Sequence, residues 1–156
     1  MCKRACARSP SAGRAGSVVG EHVLDHAIGQ LFARALVAIA RADDRVGLEE
    51  GLRLQQRIER RLAGPMPLDD LLLAEPLEPH RLAEAARSAD PFRSAAVHPG
   101  ELAAMIVTGA IAVVLGKGYV AEAEAHVMVR FAAALGCSSD QIHALCQRAA
   151  PWLGSA

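Results

Sequence analysis

The sequence predicts an all-α protein: a compact bundle of about six to seven helices built from two related helical hairpins. Hydrophobic residues make up 52% of the 156 residues, whereas aromatic residues make up only 3%. Alanine supplies much of the apolar volume, which favours closely packed helices over a sheet of β-branched and aromatic residues. Apolar side chains also recur three or four positions apart, which is the spacing of one helix face. A chain of this length forms one domain by the usual prior, here expected over residues 21–156.

Two helices form the first predicted hairpin. The first runs from residue 21 to 42. Its apolar stripe consists of Leu24, Ile28, Leu31, Ala35 and Ile39. The second follows a short acidic turn and ends at Gly64 and Pro65, because glycine suits a helix C-cap and proline cannot continue a helix. Its apolar residues near one face are Leu48, Leu52, Ile58 and Leu62.

Residues 64–100 are predicted to form a connector with short helices only. Prolines interrupt this segment at positions 65, 67, 76, 79, 91 and 99. Between them, "LDDLLLA" and "HRLAEAARS" each have room for a short helix.

Three further helices are predicted after the connector. One begins at Pro99, since proline suits the first turn of a helix, and extends to residue 115. The next runs over about residues 122–135. The last begins at Ser138, where Gln141 follows at the spacing of a capping box.

The first twenty residues differ in composition from the rest. No acidic residue precedes Glu21, and residues 1–20 have neither helical nor strand periodicity. They are predicted to be a disordered basic tail that makes at most weak contact with anionic surfaces. The basic residues are Lys3, Arg4, Arg8 and Arg14.

Charge and hydropathy indicate a cytoplasmic protein. The 17 basic residues balance the 17 acidic ones, so no global field favours nucleic acid, and no specific nucleic-acid partner is expected. The longest uncharged run, residues 102–116, is shorter than a bilayer span and predicts a buried helix instead of a transmembrane segment. The tail lacks the apolar stretch of a secretory signal, which favours free thiols in a reducing compartment. The cysteines are Cys2, Cys6, Cys137 and Cys146.

Two segments of the sequence resemble each other at an offset of 74 residues, and we call this similarity the internal echo. "ALVAIARADDRVGLEEGLRL" aligns without a gap on "GAIAVVLGKGYVAEAEAHVM", so that Val46 falls on Val120 and Glu50 on Glu124. Both copies have the pattern of a helix, a tight turn, a valine and a second helix. We interpret the echo as a pseudo-duplication of one hairpin.

The acidic turn of the first copy is the candidate functional site. Glu49 and Glu50 suit the positive N-terminal end of the second helix, and Glu50 has the spacing to accept a hydrogen bond from the Gly47 amide. Asp43 and Asp44 follow the negative C-terminal end of the first helix, where a carboxylate costs up to about 1 kcal/mol. Three explanations stay open: turn formation, a divalent cation such as Ca²⁺ or Mg²⁺, and a basic partner surface. The pattern is not that of an EF-hand.

"ALVAIARADDRVGLEE" resembles the A-D-G-x-[IV]-x-x-E-E signature of the tellurite-resistance TerB-like family, with Asp44 in the glycine place. The second copy resembles the repeat of that signature, and "FAAALGCSSDQI" resembles its usual ending. The similarity covers about residues 24–148. The resemblance implies two related helical hairpins and an acidic divalent-metal site in a cytoplasmic, stress-linked protein. Its candidate metal ligands are Asp43, Asp44, Glu49 and Glu50.

The second copy departs from the signature. Lys117 stands in place of the second aspartate and Ala123 in place of the first glutamate, which leaves Glu124 alone of that set. Lys117 suits the end of its helix and Gly118 suits a left-handed cap, so this turn is predicted to be structural.

Other pairs of potential ligands are weaker metal candidates. His22 and His26 lie one helical turn apart but have no evident third ligand, and Glu122 with His126 more simply describes an exposed helix face. Cys2 and Cys6 lack a second cysteine pair. Cys137 and Cys146 pack as small hydrophobic residues.

No motif for catalysis is present, so no enzymatic activity is expected. The favoured function is weak binding of a divalent cation at the acidic turn. The alternative is a protein-interaction or self-association module without metal, which would use an alanine-rich groove along residues 102–115 or 123–134.

Overall fold

The computed structural model describes residues 23–62, 64–88, 92 and 97–151, and these residues form an all-α bundle, as the sequence predicts. The described part contains seven α-helices and one short 3₁₀ helix between α5 and α6. An isolated bridge between Leu24 and Leu62 is the only β-type pairing among these residues. The helices are α1 (His26–Ala40), α2 (Leu48–Arg61), α3 (Leu68–Leu73), α4 (Pro79–Ser88), α5 (Pro99–Val114), α6 (Glu122–Ala134) and α7 (Ser139–Ala149).

Helix α1 begins later than the spacing of its apolar residues predicts. Leu24 belongs to the predicted stripe and is buried, but it lies before the helix. Its amide donates to the Arg61 carbonyl at 2.7 Å, next to the bridge with Leu62. The chain therefore enters the bundle in an extended conformation along the end of α2. The predicted tail, residues 1–20, lies outside the described residues.

Helix α5 is the central helix of the bundle. It contacts α1, α2, α6 and α7, and it contains nine buried residues, from Leu102 to Val114. Gly109 allows the side chains of Leu36 and Phe32 on α1 to approach its backbone. Together with the 3₁₀ residues, α5 is long and apolar enough to cross a membrane, judged by length and composition alone. Half of this apolar stretch is buried inside the bundle.

The two hairpins of the internal echo have matching turns. Residues 41–47 join α1 to α2, and residues 115–121 join α5 to α6. The Gly47 amide donates to Glu50 Oε2 at 3.4 Å, and the Ala121 amide donates to Glu124 Oε2 at 2.7 Å. The same capping contact thus recurs 74 positions further along the chain.

The connector also has the predicted short helices. Helix α3 packs against α1, and α4 packs against α6. The predicted capping box of α7 is present, since Ser138 Oγ accepts from the Gln141 amide at 3.3 Å and Gln141 Oε1 accepts from the Ser138 amide at 2.8 Å.

Candidate functional site at the two hairpin turns

Lys117 joins the two turns through a group of charged side chains. We call this group the ion cluster; it consists of Lys117, Asp43, Glu124 and the nearby Glu50. Its Nζ lies 2.6 Å from Asp43 Oδ2 in the first turn and 2.5 Å from Glu124 Oε1 after the second. The side chains of Lys117 and Asp43 are only 20% and 22% exposed, and that of Glu124 is fully buried. A single ammonium group therefore balances carboxylates from both hairpins.

Local backbone geometry positions Lys117. The residue ends the 3₁₀ helix Leu115–Lys117, and Gly118 closes it with a φ of 86°, a left-handed conformation that glycine adopts without strain. Gly116 lies so close to Arg53 of α2 that a Cβ there would be 2.9 Å from the Arg53 side chain. The Lys117 ammonium also lies 5.2 Å from the centroid of the Tyr119 ring, within cation–π range.

The bonds within the cluster shift the pKa values of Asp43 and Lys117 in opposite directions. The hydrogen bond from Lys117 lowers the pKa of Asp43. Burial works to lower the pKa of Lys117, but its hydrogen bonds to Asp43 and Glu124 outweigh burial and hold that pKa well above its ordinary value. Both groups are therefore charged at neutral pH, and the ion pair is intact there.

Glu50 is the one member of the cluster with an unsatisfied oxygen. The residue is 4% exposed, and its Oε2 accepts from the Gly47 amide. Its Oε1 is buried and has no hydrogen-bond partner among the described residues. Burial raises the pKa of Glu50, although the nearby Lys117 charge opposes the shift. The cluster thus holds one carboxyl group that is partly stabilised in its protonated form.

The four predicted metal ligands do not share one cavity. Asp43, Glu49 and Glu50 line a cavity of about 320 Å³ together with Lys117. Glu49 Oε1 in turn pairs with Arg53 at 2.9 Å on the exposed face of α2. Among residues 23–62, 64–88, 92 and 97–151, no group of three or more His, Cys, Asp or Glu side chains is arranged to hold a metal ion.

Asp44 is the predicted ligand that lies apart from the others. Its φ of 62° is left-handed, a conformation that aspartate tolerates better than most residues. The carboxylate of the preceding Asp43 accepts from the Arg45 amide at 3.3 Å, which stabilises the reversal of the chain. Asp44 consequently lines a separate cavity of about 510 Å³. Turn formation, one of the three explanations given above for the aspartates, thus accounts for part of this geometry.

Sequence reasoning did not place Lys117 and Glu124 in the site. The prediction that the second turn is structural holds for Gly118, but it omits the contact between Lys117 and Asp43. The offset of 74 residues was the available signal, because it aligns Lys117 with Asp43 and Glu124 with Glu50. The offset alone does not reveal the contact, because it does not show that the two turns face each other.

The remaining candidates lie apart from the ion cluster. His26 Nε2 is 3.2 Å from Gln30 Nε2, and His22 is outside the described residues. Glu122 and His126 are exposed on α6. Burial raises the pKa of the Cys137 thiol, and likewise that of Cys146, which favours their neutral, unreactive form. Cys2 and Cys6 also fall outside the described residues.

Comparison of the chain with protein-family models, with curated proteins and with solved structures finds no match. The resemblance to the TerB-like family therefore depends on the quoted motifs alone.

Proposed function

We propose that this protein is a non-enzymatic helical interaction domain that binds an acidic amphipathic helix of a partner protein on the exposed face of α2. In this proposal Lys117 is the built-in counter-ion of the acidic turn, so that the domain is assembled without a bound metal. The observation that carries the proposal is a set of exposed apolar side chains next to the ion cluster.

The ammonium group of Lys117 is positively charged and contacts the carboxylates that a bound cation would contact in the acidic turn. It contacts carboxylates from both hairpins, which is how a shared ion would join them. A divalent cation at the same place would meet this fixed positive charge and would have to displace it. Lys117 therefore supports a domain whose acidic turn already has a counter-ion.

The exposed apolar residues form what we call the α2 surface: Leu48, Leu52 and Tyr119, with Arg53 and Arg60 beside them. Leu48 is 85% exposed, Leu52 is 54% exposed and Tyr119 is 59% exposed. Leu48 and Leu52 are one helical turn apart, and Leu48 lines the same cavity as Tyr119. Apolar residues grouped in this way are typical of a protein contact, whereas scattered ones are not.

Charge at the α2 surface indicates the chemistry of the partner. Leu52 shares a cavity of about 390 Å³ with Arg53, Arg57 and Arg60, and Glu49 is the only acidic residue lining it. A helix with leucine-type anchors and acidic flanks complements this arrangement. The alternative groove along residues 102–115 or 123–134 is less favoured here for its first range, because most of residues 102–115 are buried against neighbouring helices.

A model peptide tests this proposal. We would titrate a labelled amphipathic helix with leucine on one face and glutamate on the other into the protein and follow fluorescence anisotropy. We expect binding that weakens at least about tenfold in the Leu48→Ser/Leu52→Ser variant. Leu73→Ser is the matched control, because Leu73 is 86% exposed on α3 and lies outside the α2 surface. The same peptide with lysine in place of glutamate should bind worse.

Three outcomes would contradict the proposal. The peptide fails to bind, or it binds both leucine variants equally well, or the protein forms a dimer in solution that the Leu48→Ser/Leu52→Ser variant abolishes. The last outcome would make a second copy of the chain the occupant of the α2 surface.

A second candidate function is weak binding of Ca²⁺ or Mg²⁺ at the acidic turn of a cytoplasmic, stress-linked protein, as the TerB-like resemblance implies. The unsatisfied Glu50 Oε1 favours it, since a buried carboxylate oxygen without a partner suits a hard cation. Calorimetric titration of the protein and of its Asp43→Asn/Glu50→Gln variant with each ion tests it. If the unaltered protein and the variant give the same heat of binding, this candidate function is excluded.

A further inference from the structure

A second cavity lies on the other side of the first turn and has no part in the proposed function. Its volume of about 510 Å³ is in the range of small-molecule sites, which is about 300 to 1,000 Å³. The end of α1, the connector between α3 and α4, and helix α6 form its walls. Asp44 lines this cavity, whereas Asp43 lines the one that contains Lys117.

Three arginines line this cavity, two from the first turn and one from α6: Arg41, Arg45 and Arg130. Arg41 is held in place because its Nη1 donates to the Leu72 carbonyl at 2.8 Å. The guanidinium groups of Arg45 and Arg130 are exposed and have neither a hydrogen bond nor an ion pair with any residue in the described part of the chain. Two positively charged groups therefore have all their donors available to a ligand.

The cavity carries a positive charge. Its acidic residues are Asp44 and Glu78, so three guanidinium groups face two carboxylates. Arginine donates paired hydrogen bonds to carboxylate and phosphate oxygens, and such charge-assisted bonds are roughly twice as strong as neutral ones. The excess charge and the free donors both indicate an anionic ligand.

Apolar side chains line the rest of the cavity. Val46 and Val127 are partly buried and pack against the hydrophobic core, and Leu77 is buried. Free inorganic anions do not require such a wall. A ligand with an anionic group and an apolar body would use both parts of the lining.

We infer that this cavity binds a small molecule in which one carboxylate or phosphate group is attached to an apolar body. Arg45 and Arg130 bind the anionic group, and the valines with Leu77 contact the apolar body. The Asp44 carboxylate lowers the affinity, since it repels the incoming anion.

Calorimetric titration of the full chain with octanoate and octyl phosphate tests the inference. Octan-1-ol lacks the anionic group and inorganic phosphate lacks the apolar body, so these two probes are the controls. We expect both amphipathic anions to bind and the Arg45→Gln/Arg130→Gln variant to lose at least about tenfold in affinity. The Arg53→Gln/Arg60→Gln variant, which removes the same charge from α2, should bind as the unaltered protein does.

A variant that tightens binding keeps the test decisive if the double arginine variant fails to fold. Asp44→Asn removes a negative charge from the cavity, and asparagine accepts the left-handed backbone equally well. We expect it to bind octanoate a few fold more tightly. The inference is overturned if neither amphipathic anion binds, if Asp44→Asn and Arg130→Gln leave the affinity unchanged, or if either control probe binds as tightly as octanoate.

Discussion

Lys117 Nζ lies 2.6 Å from Asp43 Oδ2, although the two residues are 74 positions apart and occupy equivalent places in two matching turns. The same offset relates Glu50 to Glu124, which cap their helices in the same way. One copy of the turn thus supplies the cation for the other. An ion pair between equivalent positions fastens the hairpins together at their turns.

Removal of the Lys117 charge is expected to destabilise the fold. In Lys117→Met the fully buried Glu124 carboxylate loses its counter-ion, and loss of one partner of a buried pair costs about 3 kcal/mol. Urea denaturation measures the free energy of unfolding. The Lys117→Met/Glu124→Gln variant should recover most of the loss, because the fully buried carboxylate is then replaced by a neutral amide. An equal deficit in both variants would show that packing of the lysine stem, and not its charge, stabilises the turns.

The pH dependence of stability should reveal Glu50. Its pKa is raised by burial in the folded state, so the folded protein prefers the protonated group, and stability is lost as pH rises above the unfolded pKa of about 4.3. Glu50→Gln cannot ionise and keeps an acceptor for the Gly47 amide. The free energy of unfolding of this variant, relative to that of the unaltered protein, should therefore increase as pH is raised from about 4 to about 7, because this range lies above the unfolded pKa.

The control for this prediction is Glu59→Gln, which removes a carboxylate from an exposed position on the same helix. Asp43→Asn should show the opposite trend. The pKa of Asp43 is lowered in the folded state, so its contribution is present above the unfolded pKa and is lost as pH falls through the folded value. Parallel pH profiles for all three variants would contradict the assignment of the two shifts.

The identity of residue 117 should decide whether the turn responds to divalent cations. Lys117→Asp replaces the ammonium group with a carboxylate near Asp43, Glu50 and Glu124. We expect Ca²⁺ to raise the melting temperature of this variant, since a ligand present at 100 times its Kd stabilises by about 2.7 kcal/mol. The unaltered protein and Lys117→Met should respond little. Equal stabilisation of all three would favour the second candidate function over the first.

The capping box of α7 should contribute measurably to stability. Ser138 Oγ accepts from the Gln141 amide at 3.3 Å, and loss of such a cap costs about 1 kcal/mol. We expect Ser138→Ala to unfold more easily than the unaltered protein by that amount in urea denaturation. The neighbouring Ser139→Ala is the control, since Ser139 is the first helical residue and has no capping role.

Local signals were sufficient to predict the helices. Proline positions, the Gly47 and Ser138 caps and the spacing of apolar residues placed most helix ends within one or two residues of those observed, because each acts over a single helical turn. The exception is the start of α1. Leu24 fits the helical stripe, yet a hydrogen bond from its amide to the distant Arg61 carbonyl holds it outside the helix. Spacing alone cannot reveal a competing partner that lies elsewhere in the chain.

The candidate site was predicted only in part. Adjacent aspartates in one turn suggested a shared ion, whereas in the structure Asp44 has a left-handed backbone and the two aspartates line different cavities. Glu50 capped its helix as the sequence indicated. The arginines Arg41, Arg45 and Arg130 gave no signal, since the third of them comes from α6 and joins the others only in the folded bundle.

The sequence by itself determined the all-α class, the order of the helices and the likeness of the two turns, because these follow from interactions between residues a few positions apart. The tertiary structure decided which charges meet. Helix α5 packs against both α1 and α2 and thereby brings the turns of the two hairpins together. The electrostatic role of Lys117 depends on that long-range packing, and so do the burial of Glu50 and the convergence of three arginines on one cavity.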